Sequence, residues 1–97
     1  MSDIPQLLDD VHRKMRAKSY SRDTKKVYYG FIVRFLEFHR IQEREALMTI
    51  AEEKVDIYLD HLALVSRISI NRQNQARSAL VFLYKHVLER PFSKKSL

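Results

Sequence analysis

Residues 69–88, which read SINRQNQARSALVFLYKHVL, decide the fold because their two halves differ in character. The first half is almost wholly polar and the second is apolar nearly all round, which is typical of a helix that projects from a core and then enters it. Ser69 or Asn71 suits the N-cap position, and Pro91 stops the helix. We therefore predict a helix that reaches about Glu89 and is buried along its second half.

Three earlier segments carry apolar residues at helical spacing and are predicted as helices: residues 5–18, 22–39 and 51–65. Ser21 suits the N-cap of the second helix, and residues 49–52 (TIAE) match the capping box at the start of the third. The polar residues 40–48 are predicted to form a loop. The positions predicted to face the core are Ile4, Leu8, Val11 and Met15, then Tyr28, Phe31, Ile32, Phe35, Leu36 and Phe38, and finally Val55, Tyr58, Leu59, Leu62 and Val65.

The composition fits a single all-α domain. The chain has 97 residues, of which 45% are apolar and 31% charged, with one glycine, two prolines and no cysteine. Few turn-forming residues favour helices, and the missing thiols exclude disulfides and cysteine-ligated zinc. The N-terminus resembles no signal peptide, and no apolar run is long enough to span a membrane. We expect a soluble, cytoplasmic protein.

The charge is high and unevenly placed. The net charge is +6, and two basic blocks, residues 13–34 and 67–97, flank an acidic one at residues 35–66. Such a balance favours a polyanionic partner, either nucleic acid or an acidic membrane surface, although lysine-rich solubility alone would give the same number.

Two polar clusters lie within the basic blocks. Residues 71–77 combine amides with Arg72 and Arg77, the residue types that read base edges, and residues 13–26 interleave cations with hydroxyls that hold phosphates. The alternative for each cluster is an ordinary solvated helix face. A four-helix bundle could place both clusters on one side. Gly30, in the middle of the second helix, indicates close approach by another helix or by a DNA backbone.

No constellation for catalysis or metal binding is visible. The four histidines, one in each predicted helix, lack ligand spacing, and His39 is predicted to be packed and hydrogen-bonded. Gly30 is the only glycine, so no phosphate-binding loop exists. Tyr84 is predicted to be a core residue rather than a nucleophile. We therefore expect no cofactor and no enzymatic activity in this segment.

Several stretches together resemble integron and phage integrases. Residues 18–24 (KSYSRDT), Tyr28 and residues 31–39 (FIVRFLEFH) are similar to the pattern Y-S-x-x-T…Y-x-x-W-I-x-R-F-x-x-F-H, with Phe31 where tryptophan is common. Residues 58–63 (YLDHLA) resemble F-L-x-x-L-A. Residues 69–88 are similar to S-x-S-T-Q-N-Q-A-L-x-A-L-x-F-L-Y-x-x-V-L, and the resemblance covers about residues 7–92.

The resemblance implies the core-binding domain of a tyrosine recombinase, a four-helix SAM-like orthogonal bundle that clasps duplex DNA at the recombination core site. In that family strand cleavage and joining belong to a separate C-terminal domain. Residues 1–92 would form the domain, and residues 93–97 would begin an interdomain linker or an added tail. The DNA contacts implied are Lys18, Ser19, Tyr20, Ser21, Arg22, Thr24, Lys25 and Lys26 for phosphates, and Arg72, Gln73, Asn74 and Arg77 for base edges or the groove.

Two departures from the family pattern concern the last stretch: Asn71 replaces a serine and Arg72 a threonine. The added cation of Arg72 favours phosphate binding and leaves base preference open. The resemblance further implies other recombinase protomers as partners on DNA, a monomeric isolated domain and a nucleoid-associated location in bacteria. The alternative function is a protein-interaction domain that offers a mixed face of the third helix, made of Glu53, Ile57, Asp60 and Leu64.

Overall fold

The computed structural model describes residues 2–90 and is all-α, as predicted. It contains no strand within those residues. Four α-helices follow one another, joined by a 3₁₀ segment before α3 and a π segment after α4. Their bounds are α1 (Ile4–Ala17), α2 (Arg22–Phe38), the 3₁₀ segment (Arg44–Met48), α3 (Ala51–Leu64), α4 (Ile70–Phe82) and the π segment (Leu83–Val87).

The core lies where α4 packs against α2 and α3, and α1 closes it by packing against the π segment. Tyr84 is fully buried at its centre and donates a hydrogen bond to the carbonyl of Leu47 at 2.8 Å. The bond satisfies the phenol, and burial holds the pKa of Tyr84 far above its usual range. This confirms that Tyr84 is a core residue. No helix among residues 2–90 combines the length and apolar character needed to cross a bilayer.

The two halves of the last helical stretch behave as predicted, but its end does not. Ser69 caps α4 by accepting a hydrogen bond from the Arg72 amide at 3.2 Å, and the second half is buried. The α-helix stops at Phe82 because the next turn is π-helical, with the Leu88 amide bonded to the Leu83 carbonyl five residues earlier. The prediction of one helix to Glu89 was wrong. Pro91 and the predicted domain end at residue 92 lie outside the described residues.

The segment before α3 also differs from expectation. Residues 44–48 form a 3₁₀ turn instead of a loop, because Leu47 is fully buried and anchors the turn. The predicted capping box does not form, since α3 begins after Ile50 in the left-handed region (φ 43°) with no side-chain cap. Lys54 reaches back instead, and its ammonium donates to the carbonyls of Ala46 and Thr49.

Two residues predicted to face the core are exposed. Val65, which is 69% exposed, follows the last residue of α3, where the chain leaves the helix axis. Phe38 is 37% exposed at the end of α2, where its ring rests on His61. The prediction for His39 is confirmed, because the half-buried ring hydrogen-bonds the Lys54 carbonyl through Nε2 at 2.7 Å.

Candidate nucleic-acid interface

A basic groove of about 770 Å³ runs between α1, residues 22–34 of α2 and the first turn of α4. Helical periodicity explains its walls, since residues four apart share one face of a helix. Six of the ten lining residues are cationic and none is acidic. The lining residues are His12, Arg16, Arg22, Lys25, Lys26, Val27, Tyr29, Gly30, Arg34 and Arg72.

Two guanidinium groups converge over one aromatic ring in the groove. Arg34 and Arg72 lie 5.1 Å and 5.2 Å from the centroid of Phe31, whose side chain is only 2% exposed. Cation–π attraction at this range holds each guanidinium over the ring without neutralising its charge. In the described part of the chain, ion pairs form only between Asp10 and the side chains of Arg13 and Arg44. The cations of the groove therefore have no carboxylate partner.

Gly30 makes room for one of these guanidinium groups. A methyl group placed on Gly30 would lie 3.4 Å from Nη2 of Arg34, which is ordinary contact. The nearest neighbour is thus a flexible side chain of the same helix. The close approach by another helix that the glycine suggested is absent from the described structure.

A buried phenol lies behind Arg34. Tyr58 is almost fully buried, and the polar group beside its hydroxyl is the Arg34 guanidinium. Burial raises the pKa of Tyr58, while the nearby Arg34 guanidinium opposes that rise. On the outer wall, His12 stacks on Tyr29 with ring centroids 4.4 Å apart. The groove thus has aromatic rings beneath and beside its cationic side chains.

A second, shallower cavity lies along the later turns of α4 and the π segment. It is lined by Tyr20, Arg77, Ser78, Val81, Phe82, Lys85 and His86. The rings of Tyr20 and Phe82 pack 5.6 Å apart and close one side of it. The pKa of His86 is lowered, first by desolvation and then by repulsion from Lys18, Lys85 and Lys14. Cations of α1 therefore lie close to this cavity as well.

The sequence-predicted contacts divide between the two cavities. Arg22, Lys25, Lys26 and Arg72 line the basic groove, so the structure brings part of the α2 cluster together with the start of α4. Tyr20 and Arg77 line the second cavity, beside Lys18.

The remaining predicted contacts stabilise helix ends or form hydrogen bonds within the domain. The Ser21 hydroxyl accepts a hydrogen bond from the Thr24 amide at 3.1 Å and donates to the Thr24 hydroxyl at 3.0 Å, which caps α2. Ser19 adopts a left-handed backbone (φ 58°) that ends α1. Gln73 donates to the Ile68 carbonyl at 2.9 Å, and Asn74 accepts from Arg77 at 3.3 Å.

Six lining residues of the groove are absent from the predicted contacts: His12, Arg16, Val27, Tyr29, Gly30 and Arg34. Their spacing along the helices could have indicated a shared face. Arg16 follows His12 by one helical turn on α1, and Arg34 follows Gly30 by one turn on α2. What the sequence does not show is that α1 and α2 pack with these turns facing the same cavity.

Comparison with known proteins covers most of the chain. Residues 7–94 match the family model described as phage integrase, N-terminal SAM-like domain. Two relatives, from Escherichia coli and Pseudomonas aeruginosa, both named integrase/recombinase, are 29% identical over 82 residues. The alignment covers 84% of this chain but 23% of each relative, so the chain spans about a quarter of their length.

Proposed function

The chain belongs to the family of phage integrase N-terminal SAM-like domains, and from this premise we propose that it is the core-binding domain of a site-specific tyrosine recombinase. In this role it clasps the duplex at the recombination core site, while a separate C-terminal domain cleaves and joins the strands. The observation that carries the proposal is the basic groove, where six cations face one cavity and none of them pairs with a carboxylate of residues 2–90.

Phosphate binding follows from the state of these cations. A guanidinium offers a planar set of donors that matches two phosphate oxygens, and one already held over a ring loses less freedom on binding. Arg34 and Arg72 meet both conditions. Lys25, Lys26 and Arg22 add charge along the first turns of α2. Each phosphate neutralised releases counterions, so affinity should fall steeply with salt.

Base-edge or groove contacts are proposed for the exposed start of α4, which comprises Arg72, Gln73, Asn74 and Arg77. Arginine and asparagine present the donors and acceptors that distinguish guanine and adenine in the major groove. Three of the four side chains are exposed, whereas Gln73 is half-buried and bonded to the Ile68 carbonyl. Gln73 would read a base only after releasing that bond, and until then it holds the loop before α4.

Arginine-to-glutamine variants in the groove test this function. Anisotropy of a labelled duplex of about 20 base pairs is measured from about 50 to about 300 mM NaCl. We expect R34Q and R72Q each to weaken binding at least about threefold and to reduce the salt slope by about one. R40Q removes the same charge at the far end of α2 and should change neither value. Unchanged affinity and slope in both groove variants would overturn the proposal.

A second candidate function, assembly of recombinase protomers, is favoured by the outer face of α3. Ile57 and Leu64 are 51% and 74% exposed there, beside Glu53 and Asp60. Exposed aliphatic residues among charges suit a protein partner. The carboxylates of Glu53 and Asp60 would repel phosphates. The two functions are compatible. An amide-shift titration with duplex DNA separates them, because shifts confined to α3 would favour assembly and shifts in α2 and α4 would favour DNA.

A further inference from the structure

We propose that Lys14, Lys18, Lys85 and His86 form a second phosphate-binding site, in which His86 contacts DNA in its protonated form. This inference rests on the proposed DNA-binding function and adds three residues, Lys14, Lys85 and His86, that are neither among the individually predicted contacts nor in the basic groove. The site lies at the second cavity, where α1 packs against the π segment.

The π segment brings the elements of this site together. Its wider turn accommodates an extra residue compared with an α-helix and so changes the direction of the side chains that follow. Lys85 is exposed and His86 half-buried, with the His86 ring 5.7 Å from that of Phe82. Both line the same cavity as Arg77. Short π turns within helices occur frequently at functional sites.

Among the described residues, the charged groups that act on His86 are cations. Lys14 acts from α1, Lys18 from the position directly after it, Lys85 from the π segment itself, and Arg77 from α4 across the shared cavity. The loop before α2 contributes Tyr20, whose phenol is neutral near pH 7 and whose pKa burial raises further above its usual 10.0. No carboxylate lines the cavity. Desolvation and these lysines lower the pKa of His86, so the free domain holds the ring neutral near pH 7.

A phosphate placed among these groups reverses the preference of the His86 ring for its neutral form. Its negative charge offsets the repulsion from the lysines and accepts a hydrogen bond from the imidazolium, so the pKa of His86 rises in the complex. By linkage, DNA binding then takes up a proton, and affinity increases as the pH falls through the His86 pKa of the complex. The gain levels off below the pKa of the free domain, where both states are protonated.

The first test measures duplex affinity from about pH 8 to about pH 5.5 at constant salt. We expect wild-type affinity to rise at least about threefold more than that of H86Q, since each unit of pKa difference corresponds to about tenfold in binding. H61Q, on α3, is the matched control and should keep the wild-type dependence. H12Q measures the separate contribution of the histidine in the basic groove.

A second readout follows the His86 ring directly by NMR, as a pH titration of its Cε1 proton with and without the same duplex. A higher pKa in the complex supports the site. K85Q, at an exposed position, should lower the salt slope by about one, whereas R40Q should not. If the domain binds DNA through Arg34 and Arg72 but the His86 pKa and the K85Q slope stay unchanged, the second site is wrong. Failure of the wild-type domain to bind the duplex would instead overturn the proposed function.

Discussion

Gly30 is the only glycine in the chain, and it lies within α2 at a helical backbone angle that any residue adopts. What the glycine provides is therefore space next to the helix, because the Arg34 side chain lies where a larger residue would project. Glycine costs about 1 kcal/mol relative to alanine in a helix interior. The position thus exchanges local stability for room around a cation of the groove.

We expect G30A to raise the free energy of unfolding by about 1 kcal/mol, because alanine is the better helix former and the Arg34 tip can shift. Urea denaturation measures the gain. The reciprocal control is A63G in α3, which should lose a similar amount. Destabilisation by G30A would mean that the Arg34 side chain cannot move away from the added methyl group. A fall in DNA affinity would show that the position of Arg34 matters for binding.

Asp10 joins α1 to the 3₁₀ segment. Its carboxylate accepts a hydrogen bond from Arg44 at 2.6 Å and another from Arg13. The Arg44 hydrogen bond is the main reason that the pKa of Asp10 lies below its usual value of 3.8. Desolvation opposes this lowering, and the charges of both arginines and the Arg13 bond add to it. A lowered carboxyl pKa means that folding favours the charged form.

We expect D10N to cost about 0.5 to 1 kcal/mol near neutral pH, the range of partly exposed ion pairs. The contribution of Asp10 is complete above the unfolded-state pKa and disappears as the pH falls through the lower folded-state pKa. The difference between wild type and D10N in chemical denaturation should therefore vanish in strong acid. D9N, at an exposed neighbouring position, is the control. A difference independent of pH would contradict the assignment to the ion pair.

Helix starts show which features of an element are local. Ser21 was predicted as an N-cap, and Ser69 was one of two candidates for the last helix; each accepts a hydrogen bond from the amide three residues later. Residues 49–52 carry an equally good capping signature that the chain does not use. There the buried Leu47 and the left-handed Ile50 determine the backbone path instead. Local patterns predict a cap unless a distant contact fixes the backbone nearby.

We expect S69A to destabilise the domain by about 1 kcal/mol, since the Arg72 amide loses its acceptor. T49A should cost less than about 0.5 kcal/mol, because Thr49 caps nothing. Thermal unfolding of the two variants makes the comparison, with circular dichroism to check the helix content. Equal losses in the two variants would indicate that the capping box forms in solution.

The whole molecule explains why the bundle was easier to predict than the site. Apolar periodicity gave four helices and most of the core, because burial of one face is a property of each segment alone. The π segment was not predictable in this way, since it depends on how Tyr84 reaches Leu47 across the core. The groove likewise required tertiary packing, which placed Arg16 and Arg34 beside Arg72 and moved Arg77 to the second cavity.

Clustered cations should also affect the stability of the whole fold. Repulsion within the basic groove opposes folding, and salt screens it. We expect wild-type stability to rise by about 0.5 to 1 kcal/mol between low and moderate NaCl, and to rise less in R34Q and R72Q. Urea titrations at both salt concentrations measure this. R40Q is the control. An equal gain in stability with salt in all variants would show that repulsion within the groove does not oppose folding.

The acidic face of α3 contributes no residue to either cavity, so opposite charges occupy separate parts of the surface. A molecule built in this way has a permanent dipole moment. If the domain binds DNA as proposed, the field of the duplex exerts a torque on this dipole, which orients the domain before contact and raises the association rate. The aliphatic residues Ile57 and Leu64 of α3 line neither cavity, so they would stay available to another protein in the encounter complex.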